Sequence, residues 1–156
     1  FLISKTQKEL ADEMNTVAIT GTEYVDMARI LNSYIFQKEQ VIGSESGYRV
    51  QTLNISETNP DVLSSIHTRL QQNIQEGYPS ILAVNLNTLY PEQVSANHFV
   101  VCNGYILKKD SNEVAFYFIN DPYYEVQDTQ YGGVKVFTPE ELERAIIENV
   151  EPAYIW

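Results

Sequence analysis

Apolar residues along the first third of the chain recur at three- and four-residue intervals, the spacing of a helix with one buried face. Thr6 and Glu9 have capping-box spacing, and Leu10, Ala11 and Met14 then share a face, which predicts a first helix. Thr20 and Glu23 repeat that spacing after a short loop. Val25, Ala28, Leu31 or Ile30, and Tyr34 continue at helical intervals, predicting a second helix that ends near Tyr34 to Phe36. The stretch 38–57 is mixed: Gly43, Ser44, Ser46 and Gly47 mark turns, and Arg49 to Ile55 alternates as a short strand.

The next helix has the clearest punctuation. Asn59 is placed to cap it, Pro60 suits its first position, and Gly77 followed by Pro79 stops it. Val62, Leu63, Ile66, Leu70 and Ile74 form its buried stripe, and Ser80 to Leu86 then reads as a central strand. Hairpins follow: His98 to Ile106, Glu113 to Asn120 and Val134 to Phe137 are strands. Thr138-Pro139-Glu140-Glu141 supplies a cap, a first-turn proline and a box glutamate for a helix reaching about Asn149. Ala153 to Trp156 makes a last strand. Helices first and an antiparallel sheet afterwards predict an α+β fold. With no interior linker, residues 1–156 are expected to form one domain.

Composition fits a folded domain: 156 residues, 44% hydrophobic and 20% charged, with only 7 Gly and 6 Pro, are enough to bury a core. A net charge of −11 argues against nucleic-acid and membrane-surface partners, since phosphate backbones and anionic lipid both repel it. No apolar run approaches the ~20 residues of a membrane span. The single cysteine, Cys102, rules out an intrachain disulfide. Tyr is abundant, at 11 residues against 6 Phe, which suits half-buried strands and groove walls or simply a Tyr-rich core and surface.

The chemistry concentrates in His98-Phe-Val-Val-Cys-Asn-Gly-Tyr-Ile106 and Phe116-Tyr-Phe-Ile-Asn-Asp-Pro122. A polar turn, Lys108 to Ser111, joins the two strands. If Leu107 pairs with Asn112, His98 falls opposite residue 121, give or take one, and directly opposed Cβ atoms lie ~4.5–5.5 Å apart. Asp121, with Asn120 as the alternative, would then lie beside His98. A histidine whose second nitrogen is held by a carboxylate or amide has its tautomer and orientation fixed, which makes it an effective base. A structural His–Asp contact at a hairpin end is the other reading of the same spacing. Cys102 lies four residues along the strand from His98, ~13 Å away, and cannot partner it as nucleophile. It reads instead as a small buried hydrophobe.

Other candidates offer less. His67, between helix residues and next to Thr68 and Arg69, reads as a solvated residue. One Cys and two distant His residues assemble no zinc site, no calcium-loop spacing exists, and no glycine-rich phosphate loop is present, so neither metal nor cofactor is expected. Tyr123, Tyr124 and Tyr131 follow the Asp-Pro step and either line a substrate groove or pack on the sheet.

The His98–Tyr105 segment, the Tyr117–Pro122 segment and the Thr138-Pro-Glu-Glu helix start together resemble the bacterial double-glycine-leader (bacteriocin-processing-like) and related peptidases of the papain-like clan. In that family a nucleophilic Cys opens a first helix, a His opens a strand, and an Asp follows in an Asp-Pro step. The resemblance implies that His98 is the general base and Asp121 the residue that orients it. Ile3 to Met14 is similar to the helix after the nucleophile helix, Thr22 to Leu31 to the next, and Tyr78 to Val84 to the central strand. The family's Gln oxyanion donor and its Cys fall ahead of Phe1 and are absent from this sequence. The start at Phe1, without an initiator Met or signal peptide, raises the expectation that an upstream segment carries them. The resemblance further implies a peptide or protein substrate and a bacterial, extracellular or cell-envelope location. A nucleophile-less domain that binds peptide or cell-envelope material, and acyl transfer in place of hydrolysis, remain as alternatives.

Overall fold

A computed structural model of the chain describes residues 4–37, 46–54, 56 and 59–156. The expected turn at Gly43 and Ser44, Ile3 at the start of the family-like stretch, and the end of the expected strand at Ile55 lie outside the described residues. The chain divides into two compact units, one of 1–51 together with Ile155, the other of 52–154 together with Trp156.

The first unit holds helices α1 (Gln7–Glu13) and α2 (Tyr24–Phe36). The α1 capping box forms as its spacing predicts: the Thr6 hydroxyl accepts from the Glu9 N–H, and the Glu9 carboxylate accepts from the Thr6 N–H. The second box does not form. Thr20 and Gly21 are instead taken up in a tight turn closed by paired bonds between Val17 and Gly21, with Gly21 at φ 81°. Helix α2 therefore starts three residues later than a Thr20 cap would set it, and its N-cap is Glu23. The two helices are tied by Arg29, whose guanidinium donates to the Glu13 carbonyl at 2.8 Å, and by Tyr34, whose hydroxyl donates to the Glu13 carboxylate at 2.5 Å. Asn32, buried on α2, clasps the backbone of Tyr48 with two bonds of 2.6 and 2.8 Å.

Strand β1 (Val50–Thr52) falls at the boundary between the units, and the second unit is built on β2 (Ser80–Asn85), β3 (Asn97–Leu107), β4 (Val114–Asn120), β5 (Val134–Phe137) and, apart from Ile155, β6 (Ala153–Ile155), in the order β6-β2-β3-β4-β5. β1 is shorter than its alternation suggested. Strands β2 to β5 pair antiparallel in succession. Helices α3 (Pro60–Gln75) and α5 (Pro139–Ile147) cover one face. Asn59 caps α3, with Pro60 at its first turn, and Thr138 and Glu141 close a capping box on α5. Ile66 and Leu70 from α3, with Leu142, Ala145 and Ile146 from α5, meet Leu82, Val84, Val100, Cys102, Tyr117 and Ile119 in the core. A short helix not foreseen in the sequence, α4 (Leu86–Leu89), caps itself with Asn85 directly after β2.

Ile66 has no exposed surface and is surrounded by core residues. Ile66→Ala is expected to cost about 2–5 kcal/mol, because the helix and sheet cannot collapse fully into the space left. A urea unfolding midpoint unchanged from wild type would mean that α3 does not pack on the sheet in this way.

Candidate active site

His98 stands on the row of β3 residues that faces the core, two places beyond Val100 and opposite Val84 of β2. It ends that row, and its side chain keeps 15% of its surface in contact with solvent. Asp121 follows the last residue of β4, and its side chain is fully buried. The two side chains meet: His98 Nε2 lies 2.7 Å from Asp121 Oδ1. Among the described residues Nδ1 of His98 has no hydrogen-bond partner, so the ring is held at one nitrogen and open at the other.

The route to this contact differs from the simple hairpin. Leu107 pairs with Val114, not with Asn112, which moves the register by two residues, and the irregularities at Ile106/Leu107 and Cys102/Gly104 each shift it by one residue in opposite directions and cancel. Val101 faces Asn120, where β3–β4 pairing ends, so Asp121 is not a direct cross-strand neighbour of His98. The carboxylate reaches the ring from beyond the end of β4, where the chain turns at Pro122. Asn120 is exposed, in register with Val101 and Val134, and no hydrogen bond joins it to His98.

Asp121 accepts three bonds. Besides His98, the Tyr123 N–H donates to Oδ1 at 2.8 Å and the Tyr90 hydroxyl to Oδ2 at 2.7 Å. Burial pushes the carboxyl towards its neutral form, but the bonds from His98, the Tyr123 backbone and Tyr90 outweigh it and hold the group below the usual carboxylate range. Tyr90 is pushed the other way, first by burial and then by the Asp121 charge it faces, and stays a donor. Sequence reasoning missed Tyr90. It sits at the C-terminal end of α4, a helix too short to leave a periodic signal.

Tyr123 sets its ring edge-on to His98, with centroids 5.8 Å apart, and its hydroxyl reaches Gln93 Oε1 at 3.3 Å. Tyr124 lies against Tyr123 but is 75% exposed. Tyr123 thus packs against His98, and Tyr124 is open to solvent beside it.

Cys102 is far from this chemistry. It is fully buried in the core, opposite Ser80, and burial pushes its thiol up to about 12. His67 is not the solvated residue its neighbours suggested. Its ring stacks on Tyr117, Nδ1 lies 3.1 Å from the Tyr117 hydroxyl and Nε2 3.1 Å from Glu143. It flanks the buried position Ile66 on α3, and so sits at the edge of the helix–sheet contact, where it links α3, β4 and α5. Among the described residues no group of three or more His, Cys, Asp or Glu is placed to hold a metal ion. No described helix is long and apolar enough to cross a membrane.

The model of the Peptidase_C39 like family matches residues 2–145, nearly the whole chain. The chain belongs to the Peptidase_C39 like family. No curated protein matches it. The α+β architecture described above is the papain-like fold of a C39-like peptidase, and membership makes the chain a cysteine-peptidase-like protein with peptide as its class of substrate. Within the C39-like frame, the paired His98 and Asp121 are the groups whose placement suits general-base chemistry.

Proposed function

We propose that this chain carries the base and orienting residue of a thiol peptidase of the double-glycine-leader type, whose nucleophilic cysteine lies in a segment before Phe1. The observation that carries the reading is His98 held at Nε2 by Asp121 with Nδ1 open. In the reaction, Nδ1 takes the proton of the cysteine thiol and the thiolate attacks the scissile carbonyl. His98 then gives the proton to the leaving amine, which departs as the C–N bond breaks and a thioester remains. Water, deprotonated by the same nitrogen, attacks the thioester and releases the acid and the thiol. Asp121 remains ionised throughout and stabilises the imidazolium that forms. In this reading residues 1–156 belong to one peptidase domain, of a bacterial protein exported to the cell envelope or beyond, and Tyr123 and Tyr124 line the groove for an extended peptide.

A second reading is a peptidase-like domain without a nucleophile that binds peptide or cell-envelope material. It is favoured by one fact: the cysteine in this sequence is buried and its thiol is held protonated. Brief alkylation of the folded, full-length natural protein at neutral pH separates the two. The peptidase reading expects one thiol to react within seconds to minutes and Cys102 to stay unmodified until the protein is unfolded. Failure to find any fast thiol, together with no peptide hydrolysis, would leave the binding domain.

A further inference from the structure

The pairing of β3 with β4 stops at Val101 and Asn120, one residue short of Asp121. β3 therefore does not hold the backbone of Asp121, although the side chain must meet His98 within 2.7 Å. What holds it comes from the segment between β4 and β5. The Asp121 N–H donates to the Gly133 carbonyl at 2.8 Å. The Asp121 carbonyl accepts from Gln127 Nε2 at 2.8 Å, and the same amide donates to the Tyr123 carbonyl, also at 2.8 Å. One side-chain amide thus bridges the carbonyls on either side of Pro122, a residue with no N–H of its own to offer. Gly133 is hemmed in from the same direction: a methyl group on its α-carbon would collide with the Asp121 carbonyl oxygen, and would also crowd the Gln127 amide.

The segment that presents these groups is itself closed. Asp128 and Gly132 exchange two backbone bonds of 2.8 and 2.9 Å, and Asp128 Oδ1 accepts from the N–H groups of Gln130 and Tyr131. Val126 is buried and anchors the turn between Tyr123 and Gln127. Gln127 is exposed and contributes nothing to the core. Its two bonds act only on the backbone of 121 and 123, and the Tyr123 N–H is one of the three donors that hold the Asp121 carboxylate.

We propose that Gln127 and Gly133 are positioning residues: together they clamp the Asp121 backbone so that its carboxylate meets His98. The clamp's effect on His98 is independent of the peptidase reading, and only its kinetic consequence rests on it. Small displacements of an orienting group cost rate steeply, about 100-fold for ~1 Å. Neither residue touches the reacting atoms, so loss of the clamp should lower kcat and leave KM nearly unchanged.

The test uses the full-length natural protein with Gln127→Met, which keeps the length of the side chain and removes both donors, and separately Gly133→Ala. The first readout is the hydrogen-bonded Nε2 proton of His98 in the proton NMR spectrum, whose exchange with water reports on the Asp121 contact without any need for activity. The second is the steady-state kinetics of peptide hydrolysis. In Gln127→Met that proton is expected to exchange at least about tenfold faster, with kcat down about 10- to 100-fold and KM within about twofold. Wild-type exchange in Gln127→Met would overturn the proposal, as would an unchanged kcat in an active protein. Faster exchange in a protein whose wild type hydrolyses no peptide would uphold the clamp and sink the peptidase reading instead. Because Gln127 is exposed, its variant answers the question even if Gly133→Ala does not fold.

Discussion

Replacing His98 by alanine is expected to lower kcat for peptide hydrolysis by the full-length protein by on the order of 10⁴–10⁶-fold, with the fold intact. The size follows from the absence of a substitute. The other histidine, His67, is engaged at both ring nitrogens, one of them by Tyr117, which lies four residues up β4 from Asp121, about 13 Å at strand spacing. No rotation of α3 brings it to the Asp121 carboxylate. In the proposed mechanism, without His98 the thiol loses the partner that accepts its proton, and the leaving amine loses its donor, so both half-reactions suffer. The fold should tolerate the change, because His98 closes the end of the core row instead of sitting inside it. Its removal does leave the Asp121 carboxylate with two donors in place of three. The outcome that would sink the mechanism is a His98→Ala protein retaining kcat within about tenfold of wild type while Asp121→Asn does the same.

The residues that made this site readable in the sequence are those whose geometry is local. Asn59-Pro60 and Thr138-Pro139 sit at helix starts because their own backbones and side chains satisfy first-turn N–H groups, and nothing distant is needed. The strand carrying His98 and the strand leading to Asp121 were legible for the same reason. Their register was not. The assumed pairing of Leu107 with Asn112 placed Asp121 opposite His98, whereas Leu107 pairs with Val114, so the alignment is already two residues away at the turn and the two later irregularities cancel. The two groups still meet because the chain leaves β4 after Asn120 and the side chain of Asp121 turns back to the ring. The turn closes with the Lys108 N–H donating to the Glu113 carbonyl, and no pattern along one strand announces that pairing.

The failed Thr20 box carries the same lesson from the other side. A Thr and a Glu at the right interval are necessary for a box and not sufficient, and here the Val17–Gly21 turn competes for the same backbone and wins. Tyr90, Gln127 and Gly133 were invisible because each acts on Asp121 across a gap in sequence: 31 residues for the Tyr90 bond and 6 for the Gln127 bond. The role of His67 was hidden for a related reason. Polar neighbours on a helix say which face is wet on average, but a residue at the edge of the buried stripe takes its partners from whatever packs beside it.

Asp121→Asn is the sharper test of how the site works, since the amide keeps the shape of the carboxylate and discards only its charge. Its oxygen can still accept from His98 Nε2–H and the Tyr123 N–H, while the amide nitrogen meets the Tyr90 hydroxyl as donor in place of acceptor. What is lost is the anion that stabilises the imidazolium, so kcat is expected to fall on the order of 10³–10⁴-fold. Stability should change with a definite sign. The folded carboxyl lies below its ordinary value, near ~3.9, because its bonds outweigh the effect of burial. Folding therefore favours the ionised form, and the stability it contributes is fully present above the ordinary value and is lost as pH falls through the lowered folded one. Asn cannot titrate. The variant should be less stable than wild type by about 1–3 kcal/mol at pH 7, the range for charge-assisted bonds, and the difference should shrink as the solution is taken below about pH 4. Urea midpoints at pH 7 and pH 3 measure both ends. A stability gap that stays constant between them would mean that Asp121 is not held ionised by its three donors, and the electrostatic part of its role would fall with it.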